Sequence, residues 1–287
     1  MRDGEWNFVM RAVTAKGHKQ RLRNVVNHIE KHINEPLTLE QLSEIACLSP
    51  YHFHRVFRAE MGESVYEHIK RLRLEDAAFK LKYSDTSVDQ ISYDAGYQHN
   101  TSFSKSFKQH FGLSPRRYRS AQQGGETAAA EMPVSRMQTL EDFDVAYVRE
   151  TGNYYSAAQN AWQGLLPKAY RAGLIDDGCK AYGITYDCPE ITSESQIRYD
   201  ACISLSGNQG LPGEFRIQTI PGGQYAVFRH QGAYEYLESL YNAIYTQWLP
   251  ASGKQLRNLP SFCHYHQLDS SRVPKDRLIT DIYLPVE

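Results

Sequence analysis

Arg55 and Lys105 lie fifty residues apart at equivalent positions of a pattern that occurs twice in the chain. Other side chains that could donate hydrogen bonds accompany them: Tyr51, His52, His54 and Arg58 near the first, and Asn100, Thr101 and Lys108 near the second. Arginine can bind guanine through two hydrogen bonds, asparagine can bind adenine in the same way, and a threonine methyl can contact thymine. Lysines and helix N-termini bind phosphate. These residue types predict contacts with bases and phosphates. For any one of them alone, a solvated helix face is the alternative.

The two sets belong to a repeated arrangement of apolar residues that predicts two helix-turn-helix units. One series is echoed by the other at a spacing of about fifty residues: Leu39, Leu42, Ile45, Ala46, Phe53, Phe57 and Gly62, then Val88, Ile91, Ala95, Phe103, Phe107 and Gly112. Ser49 followed by Pro50 is typical of a helix start, because serine caps the first amides and proline tolerates the first helical position. Together the units predict an all-α domain with two recognition helices for the major groove.

Two further helices complete this predicted domain at residues 19–119. Leu22, Val25, Val26, Ile29 and Ile33 recur at helical spacing and predict an amphipathic helix. A longer helix from Val65 to Lys82 joins the two units, and its basic residues are expected on the outer side: Lys70, Arg71, Arg73, Lys80 and Lys82. We expect Lys70 and Arg71 to contact phosphate. Residues 1–18 form a predicted N-terminal extension without regular structure.

The charges are unevenly distributed along the chain. Residues 1–120 hold 19 Lys and Arg against 14 Asp and Glu, whereas the remainder holds 13 against 19. This asymmetry fits a nucleic-acid-binding module joined to one that does not bind nucleic acid. Five cysteines without a C-x-x-C pair argue against a disulfide framework and a zinc site, so no metal or cofactor is predicted. Because neither a membrane-length apolar run nor an apolar signal core is found, a cytoplasmic protein without membrane contact is expected.

The first domain resembles the AraC-type DNA-binding domain over roughly one hundred residues. The motifs that carry this resemblance are Tyr97, the runs Ser102–Lys108 and Phe111–Pro115, and Tyr118-Arg119. The resemblance implies a monomeric domain that binds double-stranded DNA with two recognition helices about one helical turn apart, ~34 Å. It also implies base contacts by Tyr51, His54 and Arg55, and by Asn100, Thr101 and Lys105.

A small, polar segment at 120–133 predicts a linker, and a second internal repeat follows it. The run Arg149–Tyr154 reappears eighty residues later as Arg229–Tyr234. Residues 134–287 are therefore expected to form an α+β domain of two β-α-β-β repeats, with an antiparallel sheet and a groove between the copies. The strands are predicted at 145–149, 182–186, 199–205, 225–230, 262–266 and 279–284, and the helices at 157–172 and 236–248. The fold class is thus multidomain.

Aromatic residues of this half suit a concave apolar pocket as well as a core. The candidates for contact with a small molecule are Tyr154, Trp162, Tyr186, Tyr199, Tyr234, Tyr265, Asp281 and Tyr283. Strict alternation places Asp281 on the opposite face from Ile282, where its carboxylate could receive a cationic or amphipathic ligand. Two alternatives stay open: core packing for each ring, and an exposed edge-strand charge for Asp281.

The second domain resembles the GyrI-like effector-binding domain over about 150 residues. The motifs are Ala146–Arg149, Gly152–Tyr154, Tyr186–Pro189, Arg198–Ala201, Gly223–Ala226 and Asp281–Pro285. The resemblance implies that small, often lipophilic or cationic molecules bind between the repeats. Two residues depart from the pattern, because Asp281 stands where glutamate is usual and Cys263 follows Phe262 where the family has Phe-Glu. Both departures bear on the ligand charge that the groove prefers.

The order of the two domains is similar to the Rob-like arrangement of transcription activators. It implies a DNA-binding transcription regulator whose second domain binds a small-molecule effector and biases DNA binding, or contact with RNA polymerase. Activation follows from this resemblance alone, and no enzyme is predicted. Two alternatives are kept: a hydrolase of reactive small molecules with Asp281 as general base, and a ligand-free protein-interaction module.

Overall fold

The structure is a computed structural model that describes residues 20–123, 133–205 and 215–287, so the predicted extension at 1–18 lies outside the described residues. The chain forms two compact units, Met1–Gly125 and Glu126–Glu287. Within the predicted linker, residues 120–123 are the end of a helix, and residues 124–132 are outside the described ranges. No helix in these ranges has the length and apolar character that crossing a membrane would require.

The first unit is helical, which confirms the predicted all-α domain. Its first helix, α1, is described from 20 to 31. The helices after it are α2 (Leu39–Ile45), α3 (Pro50–Met61), α4 (Val65–Tyr83), α5 (Val88–Asp94), α6 (Asn100–Phe111) and α7 (Pro115–Gln123). The two predicted helix-turn-helix units are α2–α3 and α5–α6.

The recognition helices begin and end at the residues that the sequence indicates. The Ser49 side chain accepts a hydrogen bond from a backbone amide of the first turn of α3, and Pro50 is the first helical residue. Gly62 ends α3 with φ 76°, and Gly112 ends α6 with φ 78°. Both values lie in the left-handed region that glycine adopts without strain. The two helices therefore end at equivalent glycines, whereas their starts differ, because no side chain caps α6 at His99.

The turns inside the two units differ in one residue. In the first turn Cys47 has φ 51°, whereas in the second turn Gly96 has φ 80°. A residue with a Cβ atom loses energy in this left-handed conformation, and glycine does not. The first turn therefore contains local strain that the second avoids.

Phenylalanines one helical turn apart fix which face of each recognition helix is buried. Phe53 and Phe57 on α3 and Phe103 and Phe107 on α6 are all 0% exposed. Their rings contact each other edge-on or tilted, with centroids 5.7 Å apart in the first pair and 5.6 Å in the second. Because these positions point inward, the opposite faces of α3 and α6 point to solvent.

The connecting helix α4 contradicts the predicted outer basic stripe. Arg71 is only 13% exposed and pairs with Glu63 at 2.8 Å and with Glu75 at 3.2 Å. Arg73 donates hydrogen bonds at 2.8 and 2.7 Å to two backbone carbonyls after α1. The prediction was wrong for these two residues because α4 is buried on most of its circumference, so no wide outer face exists. Their guanidinium groups join parts of the first unit.

The second unit is an eight-stranded antiparallel sheet with helices, which confirms the α+β class. Its elements are β1 (Ser135–Leu140), β2 (Phe143–Thr151), α8 (Tyr154–Arg171), β3 (Ala181–Thr185), β4 (Arg198–Ser204), β5 (Arg216–Ile220), β6 (Gly223–Gln231), α9 (Leu237–Ala243), α10 (Leu249–Ser252), β7 (Phe262–Tyr265) and β8 (Ile279–Pro285). A π-helical turn, Ile244–Trp248, connects α9 to α10. The strand order is β1-β6-β8-β7-β3-β4-β2-β5.

Each repeat begins with a strand that the sequence did not predict. These strands, β1 and β5, are the two edges of the sheet, where β1 pairs with β6 and β5 pairs with β2. Most of their side chains are at least partly exposed, so they lack the apolar alternation of a half-buried strand. The eighty-residue offset extends to them, because Arg136 and Gln138 correspond to Arg216 and Gln218.

The two repeats meet at the centre of the sheet, where β3 pairs with β7. In this pairing Gly183 lies opposite Cys263, and these residues are also eighty apart in sequence. The local two-fold axis that relates the repeats therefore passes between them. One face of the sheet packs on α8, on α9 and on the turn after α9, and the other face buries its own aromatic core.

Candidate functional site

The exposed face of α3 carries the first set of predicted base contacts. Tyr51 is 73% exposed, His52, Arg55 and Arg58 are also exposed, and His54 is half-buried. A guanidinium nitrogen of Arg55 donates to the Tyr51 hydroxyl at 3.3 Å, and the Arg55 Cζ lies 5.7 Å from the ring centroid. Tyr51 therefore restrains Arg55 one turn along the helix, with donor groups of the guanidinium left for another partner.

The equivalent face of α6 carries the second set. Thr101, Lys105 and Lys108 are exposed, and so is Asn100 at the start of the helix. The side-chain amide of Asn100 donates to the Asp89 carboxylate on α5. A paired contact from Asn100 to adenine uses its carbonyl oxygen and one amide hydrogen, which leaves the second amide hydrogen for Asp89. The other three side chains face solvent directly.

Aromatic side chains from both repeats converge on the helix face of the sheet. The hydroxyls of Tyr199 and Tyr265 are 3.1 Å apart, and Trp162 Nε1 donates to the Tyr199 hydroxyl at 3.2 Å. The Tyr154 ring centroid is 5.8 Å from that of Tyr199, and the Tyr234 centroid is 5.3 Å from that of Tyr265. These five residues, here called the aromatic cluster, were all predicted as ligand contacts. All but Tyr199 are half-buried, so solvent reaches the cluster.

Sequence reasoning missed three residues beside the aromatic cluster. Tyr241 on α9 has its hydroxyl 3.4 Å from Cys263 Sγ, and Tyr245 on the following π-helical turn stacks on Tyr241 with centroids 6.5 Å apart. Helical periodicity alone cannot find Tyr245, because a π-helical turn shifts the direction of side chains. The position of Cys263 follows from the repeat, since its counterpart is Gly183.

Gly183, on the central strand β3, lies directly beneath two side chains of the aromatic cluster. A Cβ atom at this position would collide with the Tyr199 hydroxyl and lie 2.8 Å from Tyr265 Cε2. Only glycine therefore leaves room for these two side chains at the seam between the repeats, where β3 pairs with β7. The close approach explains a glycine in the centre of a buried strand.

Burial keeps the titratable groups of this region uncharged. It raises the pKa of Tyr199 and of Tyr265 well above the usual value. Burial also raises the pKa of the Cys263 thiol to about 11. A thiol with such a pKa is protonated at neutral pH and is a poor nucleophile. The aromatic cluster can therefore offer hydrogen bonds and ring faces, and it offers no reactive thiolate.

The other three predicted ligand residues lie on the opposite face of the sheet, so the structure does not bring them to the aromatic cluster. Tyr186 donates to Asp200 at 2.8 Å, and Tyr283 stacks on Phe262 with ring centroids 4.7 Å apart. Asp281 is 1% exposed, which contradicts the exposed edge-strand alternative. Alternation along β8 predicted its face correctly but could not identify its partners.

Asp281 is already neutralised by two arginines. Arg229 donates to both carboxylate oxygens at 2.8 Å, and Arg136 and His266 each lie 3.0 Å from Oδ2. Burial alone would raise the pKa of Asp281, but the hydrogen bonds from Arg229, His266 and Arg136 outweigh burial and hold this pKa well below its usual value. The carboxylate is therefore not available to a cationic ligand, contrary to the expectation from sequence.

The first repeat contains the same ion pair. Arg149 donates to both oxygens of Asp200 at 2.7 and 2.9 Å, and Asp200 is 0% exposed. The two arginines are eighty residues apart, and the two aspartates eighty-one. An ion pair present in both copies belongs to the architecture of the repeat.

One group in the described ranges has donor atoms suited to a metal ion. His264, His266 and Asp281 place one ligand atom each within 4.8 Å of one another. Two imidazoles and a carboxylate are a donor set for divalent transition metals. Arg229 and Arg136, however, occupy the oxygens of Asp281, so an ion must first displace them. We assign this group as an ion-pair cluster.

Two family models match the chain. The model described as "GyrI-like small molecule binding domain" matches residues 133–287, and a helix-turn-helix domain model matches residues 42–121. The first match covers most of the second unit, and the second match covers the helices from α3 to α6.

Several curated relatives match the helical unit. The multiple antibiotic resistance protein MarA of Escherichia coli is 28% identical over 106 residues, which are 37% of this chain and 84% of MarA. The probable transcriptional regulator YgiV of Escherichia coli is 34% identical over 110 residues, 37% of this chain and 67% of YgiV. For the transcriptional regulator YbfP of Bacillus subtilis the identity is 30% over 102 residues, 36% of this chain and only 35% of YbfP.

Solved structures resemble each unit separately. The C-terminal domain of EcmrR has a TM-score of 0.45 and 17% identity, covering 54% of this chain and 98% of that domain. The DNA-binding domain of AdpA, solved with a target DNA, has a TM-score of 0.34 and 29% identity, covering 36% of this chain and 92% of that domain.

Proposed function

The chain belongs to the family of the GyrI-like small molecule binding domain and carries an AraC-type helix-turn-helix domain before it, and we propose that it activates transcription in response to a small molecule. It works in the cytoplasm, where its recognition helices bind double-stranded DNA. RNA polymerase is the partner through which a DNA-bound activator acts. The DNA-binding part of this proposal is carried by one observation: α3 and α6 expose equivalent faces.

Arg55 and Lys105 lie at the same position of these two faces and make the central base contacts. A guanidinium can donate two hydrogen bonds to guanine, and an ammonium can donate to the same acceptors. On the opposite side of each helix lie two fully buried phenylalanines. The helix therefore cannot rotate Arg55 or Lys105 away from the duplex without removing these phenylalanines from the core. The remaining exposed residues complete the surface by contacts with bases and phosphates: Tyr51, His52, His54, Arg58, Asn100, Thr101 and Lys108.

Selection of duplexes from a random library by the full-length chain defines the preferred site, and fluorescence anisotropy then measures binding. Arg55→Ala should relax the preference at one base pair and cost ~1–3 kcal/mol of discrimination. The matched control is Arg171→Ala, which removes an exposed arginine from the second unit and should leave the preference intact. Discrimination that is unchanged in Arg55→Ala would refute the base contact.

The aromatic cluster is the effector site. Rings that are half-buried in the free protein can cover an apolar molecule without large rearrangement, and their hydroxyls can orient it. An effector changes DNA binding only if it binds two states of the protein with different affinity. No catalytic role is proposed, because the Cys263 thiol is protonated and Asp281 is held by its arginine partners.

The effector site is tested with 9-anthracenemethanol as a fluorescent probe and the selected duplex as the reporter. Trp162→Ala should weaken probe binding and remove any effect of the probe on DNA affinity. Tyr170→Ala is the control, because Tyr170 lies on the same helix but is 58% exposed and outside the aromatic cluster. Probe binding that survives Trp162→Ala unchanged would place the site elsewhere.

A further inference from the structure

We propose that Asp89 is a positioning residue, which fixes the side-chain amide of Asn100 in the orientation that recognises adenine. This inference rests on the proposed function, because it requires Asn100 to contact a base, and it adds a residue that sets specificity through another side chain. Three observations carry it: the hydrogen bond between the two side chains, the acceptor-only chemistry of a carboxylate, and the residues at the equivalent positions of the first helix-turn-helix unit.

The hydrogen bond between these side chains joins the two helices of the second helix-turn-helix unit. Asp89 lies in the first turn of α5, and Asn100 is the first residue of α6. The amide nitrogen of Asn100 donates to the Asp89 carboxylate, and both residues are exposed. The bond therefore holds a side chain that belongs to the proposed DNA-binding surface.

The Asp89 carboxylate determines which end of the amide faces it. An ionised carboxylate accepts hydrogen bonds and cannot donate them, so it holds the amide nitrogen and directs the carbonyl oxygen away. The terminal torsion of a free asparagine is broad, so a half-turn exchanges oxygen and nitrogen at little cost. Asp89 therefore selects one of the two orientations of the Asn100 amide.

The selected orientation matches adenine. A planar amide presents its carbonyl oxygen and one of its hydrogens along the same edge, and these can meet the N6 amino group and N7 of adenine. The other hydrogen lies outside this edge and can stay on Asp89. Guanine has O6 in place of the amino group, so the same edge would bring two acceptors together. The pair of side chains is therefore expected to favour adenine over guanine.

The first helix-turn-helix unit has no donor for an equivalent bond. By the spacing of the repeat, Glu40 corresponds to Asp89, and Pro50 corresponds to Asn100. Proline has no side-chain donor, and α3 begins instead with the Ser49 cap, whereas α6 begins without a side-chain cap. The bond is therefore particular to the second recognition helix, and Glu40 provides a matched control with the same charge.

The negative charge of Asp89 should lower affinity for any duplex, because it lies beside a surface proposed to bind phosphates. An acid in this position is therefore expected to act on specificity, by making the contact with a wrong base unfavourable. Removal of the acid should lower discrimination without weakening the binding of all sequences alike.

The test uses Asp89→Asn in the full-length chain, because this isosteric change lets the residue donate as well as accept. Fluorescence anisotropy compares duplexes that differ only at the base pair whose preference changes in Asn100→Ala. The parent chain should prefer adenine there, and its preference over guanine should fall about three- to tenfold in Asp89→Asn. In an Asn100→Ala background, Asp89→Asn should have no further effect on this preference. Glu40→Gln removes the equivalent charge of the first unit and should leave this preference unchanged.

The outcomes separate this inference from the proposed function. The positioning role is wrong, and the base contact of Asn100 stands, if the parent prefers another base or if Asp89→Asn keeps the parental preference. The role is also wrong if Asp89→Asn still changes the preference in the Asn100→Ala background. Equal weakening for all duplexes, with a lower temperature of thermal unfolding, would show that the bond only joins α5 to α6. If Asn100→Ala changes no preference, both the inference and the base contact of Asn100 fail.

Discussion

Gly183→Ala is the most direct test of the seam between the repeats. The new methyl group would collide with the Tyr199 hydroxyl and approach Tyr265 Cε2 to 2.8 Å. Overpacking of this kind costs about 1–3 kcal/mol, and loss of the Trp162 hydrogen bond to Tyr199 costs about 1 kcal/mol more. Replacing glycine by alanine within a strand stabilises the folded protein by about 0.5–1 kcal/mol, because alanine loses less conformational entropy on folding. The free energy of unfolding should therefore fall by about 2 kcal/mol.

Urea unfolding monitored by tryptophan fluorescence measures this change, because two of the three tryptophans lie in the second unit. Gly164→Ala is the matched control, since its new Cβ would meet only Val148 Cγ1, at 3.3 Å. Alanine in a helix interior is favoured over glycine by about 1 kcal/mol, so this variant should be as stable as the parent or more stable. A Gly183→Ala protein with parental stability and intact probe binding would refute the packing of Tyr199 and Tyr265 over the glycine.

The first unit yields three further predictions. Cys47→Gly should raise the free energy of unfolding by about 0.5–1 kcal/mol, because glycine adopts the left-handed backbone conformation of this position without strain. A lower stability of the helical unit, measured by circular dichroism, would contradict this. Arg71→Met should lower the free energy of unfolding by about 3 kcal/mol, because two glutamates lose their arginine partner. The same variant should leave the salt dependence of DNA binding unchanged. A weaker salt dependence in this variant would instead support the phosphate contact predicted for Arg71 from the sequence. Burial alone would raise the pKa of Glu63, but hydrogen bonds from His68 and Arg71 lower it to about 2. Stability should therefore be lost as the pH falls from about 4.5 towards 2, and Glu63→Gln should show a flatter acid profile.

The helical unit could be predicted closely because its signals are local. Ser49, Pro50 and Gly62 each act on the backbone next to them, and the phenylalanine pairs define a face by spacing alone. Arg71 is the exception, because its two glutamate partners and the burial of α4 depend on how the helices pack. Helical periodicity distinguishes a buried face from an exposed one, but it fails for a helix that is covered on most sides.

In the second unit the sequence predicted most strands but not the contacts between side chains on different strands. The eighty-residue repeat located six strands, but it could not separate the two faces of one sheet for residues on different strands. Tyr199 and Tyr283 were therefore grouped as ligand contacts, although they lie on opposite faces. The partners of Asp281 required the cross-strand register, which places Arg229 directly opposite it. Edge strands such as β1 have a mostly exposed surface and so lack an apolar signal.

In the effector site that we propose, the unequal residues on either side of the local two-fold axis have a consequence for the orientation of a guest. A pocket made of identical halves would accept a molecule in two reversed poses of equal energy. Here Trp162 corresponds to Asn242, and Tyr265 corresponds to Thr185. Only one pose can therefore place a guest against both the indole and the central phenol. An unsymmetrical compound should bind in a single direction, and its far end should contact the same helix in every molecule.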